Sequence, residues 1–283
     1  MKYGYYFKKI RKRRGLTIRE IASNDVPISS ISRFENETSD MYFGNVMTLL
    51  SNLGSSIDEL LNEIDMDESS IHIESLRALF STNEIKQLIR IYKDELAAYS
   101  ENKNPVTLAI ATVARIRIQK INHENISQYD LNFLNNILFK TNYWGEIEFY
   151  IFGSVADLLE SSVLMRYTQS AVDYLKGNYS AFYSRNDLAL STLLNSISIF
   201  IFQKDMKSSR YLLDEIEPLI EKSDIFSDRL VFEFLKEIWE VKFLETKKDL
   251  KASDLSSYLI AEQLNARDLI EYFEEGFNSL LKN

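Results

Sequence analysis

Arg33 and three serines, Ser29, Ser30 and Ser32, stand within five residues of one another in the phrase "PISSISRFE", residues 27–35. A guanidinium can pair bidentately with guanine O6 and N7 or hold a phosphate, and serine hydroxyls bond to either. Just upstream, "RRGLTIRE" (residues 13–20) supplies Arg13, Arg14, Thr17 and Arg19. Cations mixed with short hydroxyls suit a polyanion, and these eight side chains are the candidate contacts to double-stranded DNA. Arg33 fits a base edge or a phosphate equally well. At least one serine is short enough to meet phosphate or to pack instead of reading a base.

The charge distribution agrees with that chemistry. Residues 1–34 carry nine Lys/Arg against Glu20 and Asp25, a net +7, within a chain whose total is −9. The remainder therefore holds −16. A basic head on an acidic body implies that nucleic acid would be met by the head alone. A solvated charged helix is the other reading, since six of the nine cations fall within Lys8–Arg14.

Five short helices are predicted to position these groups. The first, about Tyr3–Arg14, turns Tyr6, Phe7 and Ile10 inward and stops at Gly15. The second starts at Thr17 as N-cap, with Glu20 as its capping-box partner. Asn24-Asp25-Val26 makes the turn, and Pro27 suits the first position of the third helix. That helix buries either Ile28 or Ile31 together with Phe34. A fourth covers about Tyr42–Asn52 and ends at Gly54. A fifth covers Ser56–Ile64, with Ser56 and Glu59 spaced as a second capping box.

Eight glycines, three prolines and long apolar-periodic segments predict an all-α chain. The acidic phrase "DMDESS" (65–70) is the predicted boundary between a helix-turn-helix domain, 1–65, and a helical-repeat domain, 66–283. Helices are expected over about 70–81, 84–100, 105–121, 128–140, 145–160, 162–176, 180–203, 207–222, 226–249 and 254–281. A kink or early end is expected at Pro218. Aromatic-rich helices recur about every 40 residues, the signature of a tetratricopeptide-like α-solenoid, with an irregular bundle as the alternative. On the predicted inner helices, Ser191, Asn195 and Ser198 share one face, and Tyr150, Ser154 and Asp157 form a similar stripe. Asn195 carries both donors and an acceptor, which suits the backbone of an extended peptide. Hydrogen bonding between helices would satisfy the same groups.

The pattern "R…GLT..E.A", then "S.IS.FE", "LLSNLG" and "SIDELL", resembles the phage-repressor helix-turn-helix. Together with "YWGEIEFYIFG" downstream, it is similar to the Rgg/GadR/MutR family of bacterial transcription regulators over essentially the whole chain. The resemblance implies a cytoplasmic homodimer of quorum-sensing type, in which a short signalling peptide bound in the repeat domain alters transcription. It also implies a buried ion pair between Arg11 and Glu35 and a peptide contact at Asn195. Asp157 falls where some members have arginine, so a cationic group on the ligand would suit it. Pro27 replaces a usual serine, and Asn36-Glu37 replaces a usual Arg-Gly, with Asn36 as the expected positive-φ turn.

Much chemistry is excluded by composition. There is no cysteine, and the two histidines, His72 and His123, lie far apart with no HExxH phrase. Walker A, GxGxxG and GxSxG phrases are missing as well. No enzyme activity, metal site or cofactor is expected, and no run is long enough for a membrane span. Two other readings use the same residues: a ligand-independent dimeric regulator, and a helical-repeat adaptor for a protein partner.

Overall fold

Tyr6, Phe7 and Ile10 recur at helical spacing and are all buried, which seats α1 (Tyr3–Arg13) on its neighbours. The computed structural model describes residues 3–65, 75, 78, 79, 82, 84–141, 143–182, 187–244 and 250–281. They contain helices and no strand. The chain divides into two compact units, Met1–Ser75 and Leu76–Asn283.

In the first unit α1 is followed by α2 (Ile18–Ile21), α3 (Ile28–Glu35), α4 (Phe43–Leu53) and α5 (Ile57–Asp65). α1 packs on α3 and α5, and α2 packs on α3 and α4. Phe7, Ile21, Ile31 and Leu49 form the centre of their core. Between the two isoleucines of α3, the core takes Ile31 and leaves Ile28 45% exposed. Pro27 stands one residue earlier than expected. It is the N-cap, and its carbonyl accepts from Ser30 and Ile31 N–H at 2.9 and 3.2 Å. Gly4 is a close-approach position, because a Cβ there would lie 1.8 Å from the Phe34 carbonyl oxygen.

The ends of α1, α3 and α4 use one device. Gly15, Gly54 and Glu37 have positive φ, and each carries the paired 6→1 and 5→2 bonds of a Schellman turn. At the end of α3 the left-handed residue is Glu37 (φ 58°), not Asn36 (φ −97°). Thr38 N–H reaches Arg33 O at 2.9 Å, and Glu37 N–H reaches Phe34 O at 3.0 Å. Ser56 Oγ accepts from Glu59 N–H, while the Glu59 carboxylate turns to Ser55 and Arg14. The second capping box is therefore half formed.

The second unit stacks helix pairs. They are α6 (Ile85–Asn102) with α7 (Pro105–Ile121), and α8 (Gln128–Lys140) with α9 (Glu146–Val155). Then come α10 (Ser161–Phe182) with α11 (Asp187–Phe202), α12 (Met206–Lys222) with α13 (Phe226–Leu244), and α14 (Ser256–Gln263) with α15 (Arg267–Leu281). The second members, α7, α9, α11, α13 and α15, touch in sequence as one row. α11 also touches α15, skipping one helix. A row whose members converge in this way lies inside the curve of the stack. Trp144, from "YWGEIEFYIFG", is a core residue: it packs on Phe149 and Phe152 and donates to Ser170 Oγ at 3.0 Å.

Several helix expectations change, among them the segment expected over 162–176, which runs on to Phe182. The segment expected over 145–160 ends at Val155 and continues as a 3-10 turn, Ala156–Leu158. The one expected over 254–281 is two helices, broken where Asn265 takes φ 52° and closes a Schellman turn. α12 does not end at Pro218 but runs on to Lys222. Most of the helix expected over 70–81, together with His72, lies outside the described residues.

Candidate nucleic-acid interface and inner row

The buried Arg11–Glu35 pair holds α1 against α3. Arg11 Nε and Nη2 each lie 2.6 Å from a Glu35 carboxylate oxygen, and Nη1 donates to Leu16 O. Both residues are under a tenth exposed. The Glu35 bond raises the Arg11 pKa against the opposing effect of burial. The pair fixes the angle at which α3 is presented and leaves neither group free for a ligand.

The remaining basic residues separate into occupied and open sets. Arg13 is paired with Glu63, and Lys9 lies 3.0 Å from the same carboxylate. Arg14 donates to Leu53 O, Gly54 O and Glu59 Oε2 at 2.9, 2.6 and 2.7 Å, capping the end of α4. The Lys9 bond, against the raising effect of burial and with help from Arg13, holds the Glu63 carboxyl below the usual range; Ser55 and then Arg14 do so for Glu59. α5 thus neutralises part of the basic charge of α1. Arg13 and Arg14 therefore stand apart from the other proposed DNA contacts, Arg14 most fully.

Thr17 is also engaged. Its Oγ accepts from Glu20 N–H, and its own N–H and hydroxyl donate to Glu20 Oε2 at 2.7 Å. Those bonds, the backbone one first, hold the Glu20 carboxyl below its usual range. The start of α2 already has an anion. Arg19 and Arg33 differ: both are exposed, and their side chains make no bond among the described residues. Beside them an open cleft between α2 and α3 is lined by Ala22, Ser23, Asn24, Pro27, Ile28, Ser29 and Ser32. Ser29 is exposed on this side, Ser32 is half-buried, and Ser30 is half-buried on the other flank of α3. The face that remains has two free guanidiniums, short hydroxyls and one isoleucine.

The inner row of the second unit separates the two predicted stripes. On α11, Ser191 and Asn195 are exposed and Ser198 is half-buried. Ser191 and Ser198 bond back to the carbonyls of Leu188 and Leu194. Asn195 makes no hydrogen bond among the described residues. On α9 the stripe is closed: Tyr150 and Ser154 are buried, and Ser154 Oγ donates to Tyr150 O at 2.8 Å. Asp157 is half-exposed but lies 2.6 Å from Lys120 Nζ, which also donates to Ser154 O at 3.0 Å. The cation expected from a ligand at Asp157 is thus supplied within the chain.

A family model described as "HTH-type transcriptional regulator Rgg, C-terminal domain" matches residues 89–275. The chain belongs to the Rgg family. It is a family of transcriptional regulators and not of enzymes. The Rgg chain also shares its fold along nearly its whole length with solved structures of low identity. The SHP pheromone receptor Rgg2 of Streptococcus dysgalactiae is 19% identical, with a TM-score of 0.76 and coverage of 98% of this chain and 98% of that one. A candidate transcriptional regulator from Listeria monocytogenes EGD-e is 18% identical, with a TM-score of 0.82 and coverage of 99% and 97%. The PrgX/cCF10 complex is 15% identical, with a TM-score of 0.72 and coverage of 99% and 92%.

Two partners in this Rgg protein were not legible from sequence spacing. Tyr272 of α15 lies near Ser198 of α11 across the inner row, and Lys120 of α7 meets Asp157. Both pairings join helices distant in sequence. The recurring aromatic helices did not point to them, because that pattern marked α9, α11 and α13 and left out α7 and α15. Among the described residues, no helix is long and apolar enough to cross a membrane.

Proposed function

We propose that this Rgg protein is a cytoplasmic homodimer that binds promoter DNA through residues 1–65 and is controlled by a short peptide held by residues 66–283. The observation that carries the reading is the pair of free guanidiniums, Arg19 and Arg33, beside α3. Arg11, Arg13 and Arg14 are paired within the unit, which leaves this face for phosphates and base edges. Arg33 reaches guanine or phosphate, Arg19 reaches phosphate, and Ser29 and Ser32 add short-range bonds. Arg13, although paired with Glu63, is exposed and can be shared with a phosphate at the rim. Arg14 and Thr17 act in holding the helices, and Ser30 sits half-buried on the far flank of α3.

On the inner row, Asn195 is the anchor proposed for the peptide backbone, with Ser191 and Ser198 beside it. Two structures of similar fold are a pheromone receptor and a peptide pheromone/receptor complex, which supports this assignment. Tyr150 and Ser154 then shape the wall from within.

Replacing Arg19 and Arg33 together by alanine should weaken binding to a promoter duplex about 100-fold, since a bidentate arginine alone contributes roughly 1–3 kcal/mol. Fluorescence anisotropy at moderate salt measures it. A double variant that binds as the native protein does would place the DNA interface elsewhere.

A further inference from the structure

Ile28 is the one side chain of the α3 face that neither the core nor the polar chemistry above accounts for. Ile31, three residues on, is fully buried and fills the core position that either could have taken. Ile28 is left 45% exposed and lines the cleft with Pro27, Ser29 and Ser32. On α3 it lies one turn before Ser32, on the flank of the outward side that carries Ser29 and Arg33.

A branched apolar group in that place has a single chemical counterpart in the major groove. The base edges there present hydrogen-bond donors, acceptors and one apolar group, the C5-methyl of thymine. We propose that Ile28 is a specificity-determining residue that reads thymine by covering this methyl, with Pro27 as the second wall. The inference rests on the DNA-binding reading above. It supplies a sequence preference that the short hydroxyls of the neighbouring serines cannot supply by reach alone. It also gives a reason for an exposed isoleucine at the start of a helix whose other outward residues are polar.

The test uses the full-length protein and a duplex it selects from a random pool, re-synthesised with deoxyuridine in place of thymidine. That exchange removes C5-methyl groups and keeps base pairing. Covering one methyl contributes about 0.8 kcal/mol, or about fourfold in affinity, and two symmetric half-sites give about fifteenfold. The native protein is expected to bind the thymine duplex more tightly by about that ratio, lost on exchange at one position per half-site. Ile28→Ala should bind both duplexes within about twofold of each other, with an unchanged melting temperature. Ile28→Val, which keeps the branch, should retain most of the discrimination. Equal binding of the two duplexes by the native protein would overturn the inference while leaving DNA binding intact. So would a thymine preference undiminished in Ile28→Ala. If no duplex is selected at all, the DNA-binding reading itself fails, and this one with it.

Discussion

Glu35→Ala should remove about 3–5 kcal/mol from the stability of the N-terminal unit, the largest effect expected of any single substitution in the molecule's head. The mutation leaves the Arg11 guanidinium buried with Leu16 O as its remaining hydrogen-bond partner among the described residues, and an uncompensated buried charge carries that penalty. A unit of this size holds roughly 3–9 kcal/mol in all, at typical stability per residue, so most of the reserve would go. Differential scanning calorimetry should show an early transition for residues 1–65, with the second unit melting at its native temperature. Because a buried pair is balanced by its desolvation cost, the double change Arg11→Met with Glu35→Leu should recover most of the lost stability. If Glu35→Ala melts as the native protein does, the pair does not hold α1 to α3.

Gly4→Ala is the second large effect, and its cause is steric. The new Cβ would meet Phe34 O at 1.8 Å, Phe34 C at 2.6 Å and Glu35 N at 3.2 Å. All three are backbone atoms, so no side-chain rotation relieves the clash and α1 must withdraw from α3. That movement also parts Phe7 from Phe34, whose ring centroids are 5.9 Å apart, and strains the Arg11–Glu35 pair. A loss of about 1–3 kcal/mol or more follows from overpacking alone. Gly44→Ala is the control. It lies in α4 with nothing within 4 Å of its Cβ, and should be stabilising by about 0.5–1 kcal/mol. Chemical denaturation of both variants measures the difference; equal effects would mean that Gly4 is not a packing position.

How much of this was legible in the sequence depended on whether the deciding interaction was local. Thr17 and Glu20 are three residues apart, so their capping box could be read directly. The all-α class and the stacking of aromatic helices followed from periodicity. The choice between Ile28 and Ile31 could not be made, because residues three apart share a helix face and only packing decides between them. Helix ends were blurred for a related reason. Glu37, Lys103, His123, Lys204 and Asn265 take the positive φ usually read from glycine. Asn265, inside a stretch read as continuous, splits the last predicted helix.

The inner row shows the same limit. α9 is apolar nearly all round, so its polar residues did not reveal which side would be closed, and Tyr150 and Ser154 are buried. α11 is equally apolar, yet Asn195 is exposed while Ser196 beside it is fully buried. Partners remote in sequence, such as Glu63 for Arg13 and Lys120 for Asp157, decide which charges stay free. Charge counting in the head could not see that α5 neutralises part of α1.

The central claim, a regulator controlled by peptide, is tested most directly by titration calorimetry. Purified protein is titrated with short hydrophobic peptides encoded beside its gene, and Asn195→Ala is titrated in parallel. Binding of one peptide per protomer is expected. It should weaken about tenfold in Asn195→Ala, the cost of an amide partner lost at a buried peptide backbone, with the dimer and its melting temperature unchanged. No heat from any of the peptides, or equal affinity for the two proteins, would contradict the account.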